Sequence, residues 1–338
     1  MKKVEKIIEV LDAYSEGLSK KYVDNPDMKY KLHEHVRIVK DITEEACPSN
    51  LIALAAAKAH DIGRGPEYDI TGGFTGKGDE DHHVLGVKLF NELMAANDIE
   101  PSNETEVISA VIRWHGLDQL KGKDGKFIPV VELAKASPKT RTLVRTITKV
   151  DDAANGMNAP YYLVREQQEH AKRVSAGGYI PDENQFTKTV SPECMEAYQE
   201  GKSFNRNAMC KSYADYNLFA AFLLNRSLKD AELGPFAARK LTEALGAIQV
   251  WDKNKNLITI EFASALDAYK ATFEVSMSPE DARTASAILE NAISEAQSNL
   301  PEVAQCGKAH TEEHQRIFRA GVAKLKECLS IDNVPGQN

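Results

Sequence analysis

Apolar residues recur every three or four positions through the first half of the chain, the spacing that lines one face of an α-helix. Val4, Ile7, Ile8, Leu11 and Leu18 make one such stripe, and Leu32, Val36, Val39 and Ile42 another, which predicts a helix near the start and a second over residues 28–46. Pro48 interrupts, and the alanine-rich run 51–61 predicts a helix apolar on nearly every side and therefore buried. Gly63, Gly65 and Pro66 predict its end, followed by a glycine-rich loop over 66–80. Further helices are expected over 81–97 and from Pro101 to His115, the latter with Asn103 and Glu106 at capping-box spacing. A second long loop is expected over 116–130, containing Gly116, Gly122, Gly125 and Pro129. Ser137-Pro138 then begins a helix that carries through Asp151.

Past residue 160 the pattern weakens. Gly177, Gly178 and Pro181 predict a loop, and 208–225 a helix on which Tyr213, Tyr216, Phe219 and Phe222 recur at core spacing. Gln249-Val250-Trp251 and Leu257-Ile258-Thr259-Ile260 flank a polar stretch and predict a short hairpin. Ser278-Pro279 starts another helix, 311–329 reads as helical, and 333–338 as frayed. No internal repeat is present. The fold class is all-α, with one possible hairpin.

Length and composition add a few constraints. A chain of 338 residues exceeds one ordinary core, so more than one domain is expected. The divisions drawn are a metal-binding domain over 1–160, a helical extension of it over 161–230, and a C-terminal helical region over 231–338. The net charge of −8 disfavours a nucleic-acid backbone as partner, since that binding needs a cationic face. Five scattered cysteines without a CxxC pair predict free thiols in a reducing compartment. Charged residues at Glu5, Lys6, Glu9 and Asp12 break any signal-like apolar run, and no stretch is long enough for a membrane span. A cytoplasmic protein is expected, with homo-oligomerisation open.

The histidines change the picture most. There are nine, and six of them (His33, His35, His60, His82, His83 and His115) fall within residues 33–115. His60-Asp61 closes the most apolar helix, where a carboxylate is costly unless it is paired or metal-bound. Imidazole nitrogen and carboxylate oxygen together suit a divalent ion.

The order His35, His60-Asp61, His82, His115, Asp151 resembles the HD superfamily of metal-dependent phosphohydrolases, over about residues 30–157. The most specific pieces are the alanine-rich helix ending in His60-Asp61-Ile62-Gly63-Arg64 and the spacing His82-x-x-x-Gly86. The resemblance implies a helical bundle holding one or two divalent ions, manganese or iron, or else magnesium, zinc, cobalt or nickel. It implies His35, His60, Asp61 and Asp151 as ligands, with His33 the alternative to His35 and Asp152 the alternative to Asp151. Asp61 would bridge two ions and orient or deprotonate water. His82 and His115 match the extra ligands of dinuclear members, with a wall around one ion as the rival reading. His83 is expected behind the ligands or at the surface. Arg64 and Lys149 are the candidates for a substrate phosphate, each with a plain structural alternative.

The implied substrate is a small phosphorylated molecule, a nucleotide first among them. Gly116 follows His115 where the cyclic-dinucleotide branch carries a second histidine, and that branch's GYP signature is absent, which disfavours such a substrate. The run Gly72–Gly78 lacks the Ser/Thr after lysine of a phosphate loop and is expected to be a lid. Lys121, Lys123 and Lys126 are either contacts to a substrate tail or a solvated turn. Two other readings stay open: an iron oxygenase or hydratase on the same scaffold, and a non-catalytic module sensing metal or nucleotide.

Overall fold

The computed structural model describes residues 2–23, 25, 28, 30–73, 76, 78–116, 119–121, 127–129, 131–175, 187–202, 210–243, 247–251, 256–299 and 312–329. The fold is all-α, with two small hairpins. The chain divides into two compact units, Met1–Ala154 and Asn155–Asn338. Among the described residues, no helix is long and apolar enough to cross a membrane.

The first unit is arranged around one apolar helix. Helix α1 (Lys2–Lys21) buries Val4, Ile7, Leu11 and Leu18 of the predicted stripe and leaves Ile8 half-buried. The helix expected over 28–46 has two parts: a π-helical turn at Tyr30–His35, then α2 (Val36–Ala46) with Val39 and Ile42 buried. Helix α3 (Leu51–Ala59) begins where the Asn50 side chain accepts from the Ala53 N–H at 3.1 Å. Ala53, Ala55, Ala56, Ala57 and Ala59 are wholly buried. Alanine on every side lets α3 lie among α1, α2 and α6 (Asn103–Trp114) at once.

The glycine-rich loop expected from residue 66 begins later. Arg64–Thr71 is helix α4, capped at its end by the left-handed Gly72. Pro66 is tolerated because it lies in the first turn, where no backbone N–H has an intrahelical partner to lose. A short 3-10 turn at Gly78–Glu80 leads into α5 (His82–Ala96), whose first turn is capped by Asp81 accepting from the His83 N–H at 2.8 Å. The cap of α6 is Ser102 with Thr105, not the predicted Asn103 with Glu106: the Ser102 N–H donates to the Thr105 hydroxyl at 2.8 Å. The second expected loop contains the antiparallel strands β1 (Gln119–Lys121) and β2 (Phe127–Pro129); Lys123 and Lys126 lie outside the described residues. After α7 (Val131–Lys135), α8 (Pro138–Ser175) starts at Ser137-Pro138 as expected, Ser137 Oγ accepting from the Thr140 N–H at 3.1 Å.

In the second unit, α10 (Tyr213–Leu228) packs against α9 (Pro192–Gln199), α11 (Gly234–Thr242), α12 (Ala265–Ser276) and α13 (Pro279–Ser298). Its deep face is Ala214, Leu218, Ala221, Leu224 and Leu228; of the four aromatic residues expected in the core, Phe222 is buried and Tyr213, Tyr216 and Phe219 are half-buried. The predicted hairpin is present as β3 (Ala247–Trp251) and β4 (Leu257–Glu261), with Ile248 paired to Ile260 and Val250 to Ile258. Helix α14 (Glu312–Leu329) packs on α12 and β4. Residues 176–186, 203–209 and 330–338, which include the expected loop at Gly177–Pro181 and the frayed tail, lie outside the described residues.

Candidate metal centre

Five elements of the first unit deliver imidazoles and carboxylates to one buried spot. The π-turn ends on His35, which is wholly buried. Widening the helix by one residue re-aims the side chains that follow, and such turns recur at functional sites. His33, two positions earlier, instead faces α1, its Nε2 2.6 Å from the Ser19 hydroxyl. Helix α3 hands His60 and Asp61 to the turn beyond it, α5 begins with His82 and His83, α6 ends at His115, and α8 carries Asp151.

Asp61 is the hub. Its Oδ2 stands 3.6 Å from His35 Nε2 and 3.8 Å from His60 Nε2. Its Oδ1 stands 3.5 Å from both His82 Nε2 and His115 Nε2, and accepts from Arg64 Nε at 3.2 Å. Asp151 Oδ1 closes the first set, 2.9 Å from His35 Nε2 and 3.8 Å from His60 Nε2. His35 and His60 present their Nε2 atoms to each other at 3.2 Å.

Backbone carbonyls behind the rings decide which nitrogen faces inward. His60 Nδ1 lies 2.7 Å from Ala57 O, and His115 Nδ1 lies 3.1 Å from both Val111 O and Ile112 O. A carbonyl only accepts, so Nδ1 carries the hydrogen, and in the neutral ring Nε2 presents its lone pair. His35 Nδ1 is buried with no partner among the described residues.

Burial and charge set the ionisation. Burial pulls the His60 imidazole down to about 4 against the attraction of Asp61. Burial likewise takes His82 to about 2, opposed by Asp61 and assisted by the Arg64 charge. On His115, burial is outweighed by the contact with Asp61 and its charge, and the imidazole sits above its ordinary value. Burial pushes both carboxyls up, but Arg64 and the surrounding imidazoles hold Asp61 well below the usual range, and His35 does the same for Asp151. The result is ionised carboxylates among imidazoles, a spot that draws in positive charge.

These residues fit a divalent ion. One ligand atom each from His35, His60 and Asp61 lie within 4.8 Å of one another, and so do nitrogens of His82, His83 and His115. Nitrogen and oxygen donors in this mixture suit a borderline divalent metal.

Two residues play larger parts than their sequence positions suggest. His83, expected behind the ligands or at the surface, is buried; its Nδ1 lies 3.1 Å from Ile112 O and its ring 4.5 Å from that of His115. Glu67, in the segment read as a loop, is a buried carboxylate accepting from Arg64 Nη1 at 3.0 Å and from the Gly76 N–H at 3.0 Å. The spacing Arg64–Glu67 on a helix is the signal that finds it, once α4 is known to be a helix. Arg64 thus has one donor on Asp61 and another on Glu67. Lys149 is exposed, and two residues from Asp151 on a helix it points about 200° away. Asp152 is half-buried.

Comparison with protein-family models, with curated proteins and with solved structures found no match to this chain.

Proposed function

We propose that this chain is a metal-dependent phosphohydrolase of the HD type, cleaving a phosphate ester or anhydride of a small phosphorylated substrate, a nucleotide being the first class to test. The observation that carries the reading is the division of Asp61: one oxygen faces His35 and His60, the other His82 and His115. The chain order of these residues, with Asp151, supports it as the pattern that resembles that superfamily.

In this reading His35, His60, Asp61 and Asp151 would hold one ion, and Asp61 with His82 and His115 a second. Divalent metal there would supply Lewis acidity toward water and neutralise charge on phosphoryl oxygens. The chain's own groups do the rest. Asp61, held ionised, orients the water. Arg64 keeps Asp61 ionised, and the carbonyls of Ala57, Val111 and Ile112 hold His60 and His115 in the tautomer whose Nε2 faces inward.

The test is metal analysis of protein purified with and without air, followed by phosphate-release assays across nucleotides. Bound transition metal and metal-dependent phosphate release, abolished in Asp61→Ala, are expected. Protein that retains no metal overturns the proposal. Air-sensitive iron with mixed-valent absorbance and no phosphate release moves the chain to the oxygenases, and tight nucleotide binding without turnover makes it a sensor.

A further inference from the structure

His82 and His115 stand on the Oδ1 side of Asp61, and His83 lies beside both. All three are buried, and one ring nitrogen from each lies within 4.8 Å of the others. The ring centroids of His82 and His83 are 3.8 Å apart, those of His83 and His115 4.5 Å, and those of His82 and His115 5.7 Å.

Two of the three rings, His83 and His115, are anchored from behind through Nδ1. For His83 and His115 the anchor is the same carbonyl, Ile112 O, at 3.1 Å from each. For His82 the groups on the Nδ1 side are carboxylates, Asp81 at 3.6 Å and Glu67 at 3.9 Å. An acceptor behind Nδ1 leaves Nε2 as the lone-pair atom, which is the arrangement found behind metal-ligating histidines. Apolar packing alone does not account for three imidazoles gathered this way, since buried polar groups need partners.

We infer that His83 is a metal ligand, and that His82, His83 and His115 form a nitrogen-rich second site selecting a borderline transition ion such as zinc, iron, cobalt or nickel over magnesium. This rests on the metal-centre reading above and adds to it a ligand and a metal class. Three imidazoles with a single carboxylate oxygen from Asp61 are a poor match for magnesium, which prefers oxygen donors and retains its waters. The first site, with Asp61 and Asp151 beside two histidines, is the more oxygen-rich of the two.

The experiment is stoichiometry and spectroscopy on the full chain. Metal-free protein is titrated with cobalt(II), with the visible absorption and the bound metal recorded, and then challenged with excess magnesium. The wild type should take up two ions, one of which magnesium does not displace. His83→Gln should weaken the second ion by more than the about 10- to 100-fold that loss of a group behind a ligand causes and change its cobalt spectrum, while the first ion stays. In His83→Gly, added imidazole should restore the second ion, a rescue that a packing role would not give.

An unchanged spectrum and affinity in His83→Gln overturns the inference. Magnesium displacing both ions equally in the wild type overturns it without any variant, so a misfolded variant does not protect it. Wild-type uptake of one ion, lost in His60→Ala, also overturns it and leaves the metal-dependent function standing. Uptake of none overturns both.

Discussion

A β-carbon at position 63 would lie 1.9 Å from the carbonyl oxygen of His82, so the backbone of Gly63 touches the first turn of α5. Gly86, one turn further along α5, makes the reciprocal approach: its β-carbon would meet Ile112 at 2.8 Å and the Gly63 nitrogen at 3.3 Å. Two glycines thus let the turn after His60-Asp61 press against the helix that begins with His82. That contact holds His82 Nε2 3.5 Å from Asp61 Oδ1.

Gly63→Ala should therefore separate the two halves of the centre. The backbone there is ordinary, with φ −76, so the cost is space alone and not conformation. Overpacking of this kind costs about 1–3 kcal/mol. The expected result is a lowered melting temperature together with weakened metal binding. A variant with wild-type melting and wild-type metal content would show that α5 is not held by this contact.

Asp61→Ala, which removes the carboxylate that faces both groups of histidines, should abolish metal retention, and His60→Ala should empty the first site. A ligand bound only by the folded state raises its stability by mass action. Added manganese should accordingly raise the melting temperature of the wild type, leave Asp61→Ala unmoved and shift His60→Ala less. The claim is lost if either variant keeps the full wild-type shift.

Asp151→Asn should damage metal binding far more than Asp152→Asn. Asp151 Oδ1 is 2.9 Å from His35 Nε2 and 3.8 Å from His60 Nε2. Metal content of the two variants, measured side by side, decides it. An emptied site in Asp152→Asn with a full one in Asp151→Asn reverses the assignment.

Metal-free protein should lose stability as the pH falls from about 6.5 towards 4. Burial holds His60 and His83 at about 4 and His82 at about 2, all below the value of about 6.5 for an exposed imidazole. In that window the unfolded chain binds more protons than the folded one, so stability rises with pH, and what these three groups contribute is lost as pH falls. His115, held above its ordinary value, works in the opposite direction. Urea midpoints across the window measure the net effect, and histidine ring resonances by NMR identify the groups. Ring resonances of His60, His82 and His83 titrating near 6.5 would refute the assignment.

Glu67→Ala should destabilise the first unit and loosen Arg64. Removing one partner from a buried ion pair costs up to about 3–5 kcal/mol, because the other charge is left without its counterpart. Here the change also frees the Gly76 amide, which donates to Glu67 at 3.0 Å. Faster hydrogen exchange at Gly76 and a lower melting temperature are expected, with Glu67→Gln intermediate because it keeps an acceptor. Unaltered exchange at Gly76 would sever the glycine-rich segment from the metal centre.

The sequence by itself determined the all-α class, the burial of the alanine-rich helix and the hairpin at β3–β4, because each follows from local periodicity. Helical spacing states which face is apolar, and strict alternation states which residues can pair. The candidate donors were legible for a different reason: histidine and aspartate at the ends of apolar helices are costly there without a partner.

What only the tertiary structure decided is which atoms meet. The π-turn that re-aims His35 has no periodic signature, since it inserts one residue into an otherwise regular stripe. Helix α4 was hidden because Gly65 and Pro66 read as a break, and with it Glu67, whose burial depends on Arg64 and Gly76. His83 follows His82 in sequence, but its place beside His115 depends on the close crossing of α5 over Gly63, a contact between segments 19 or more residues apart. Local pattern determines the elements; the choice of inward nitrogen and shared carboxylate belongs to long-range packing.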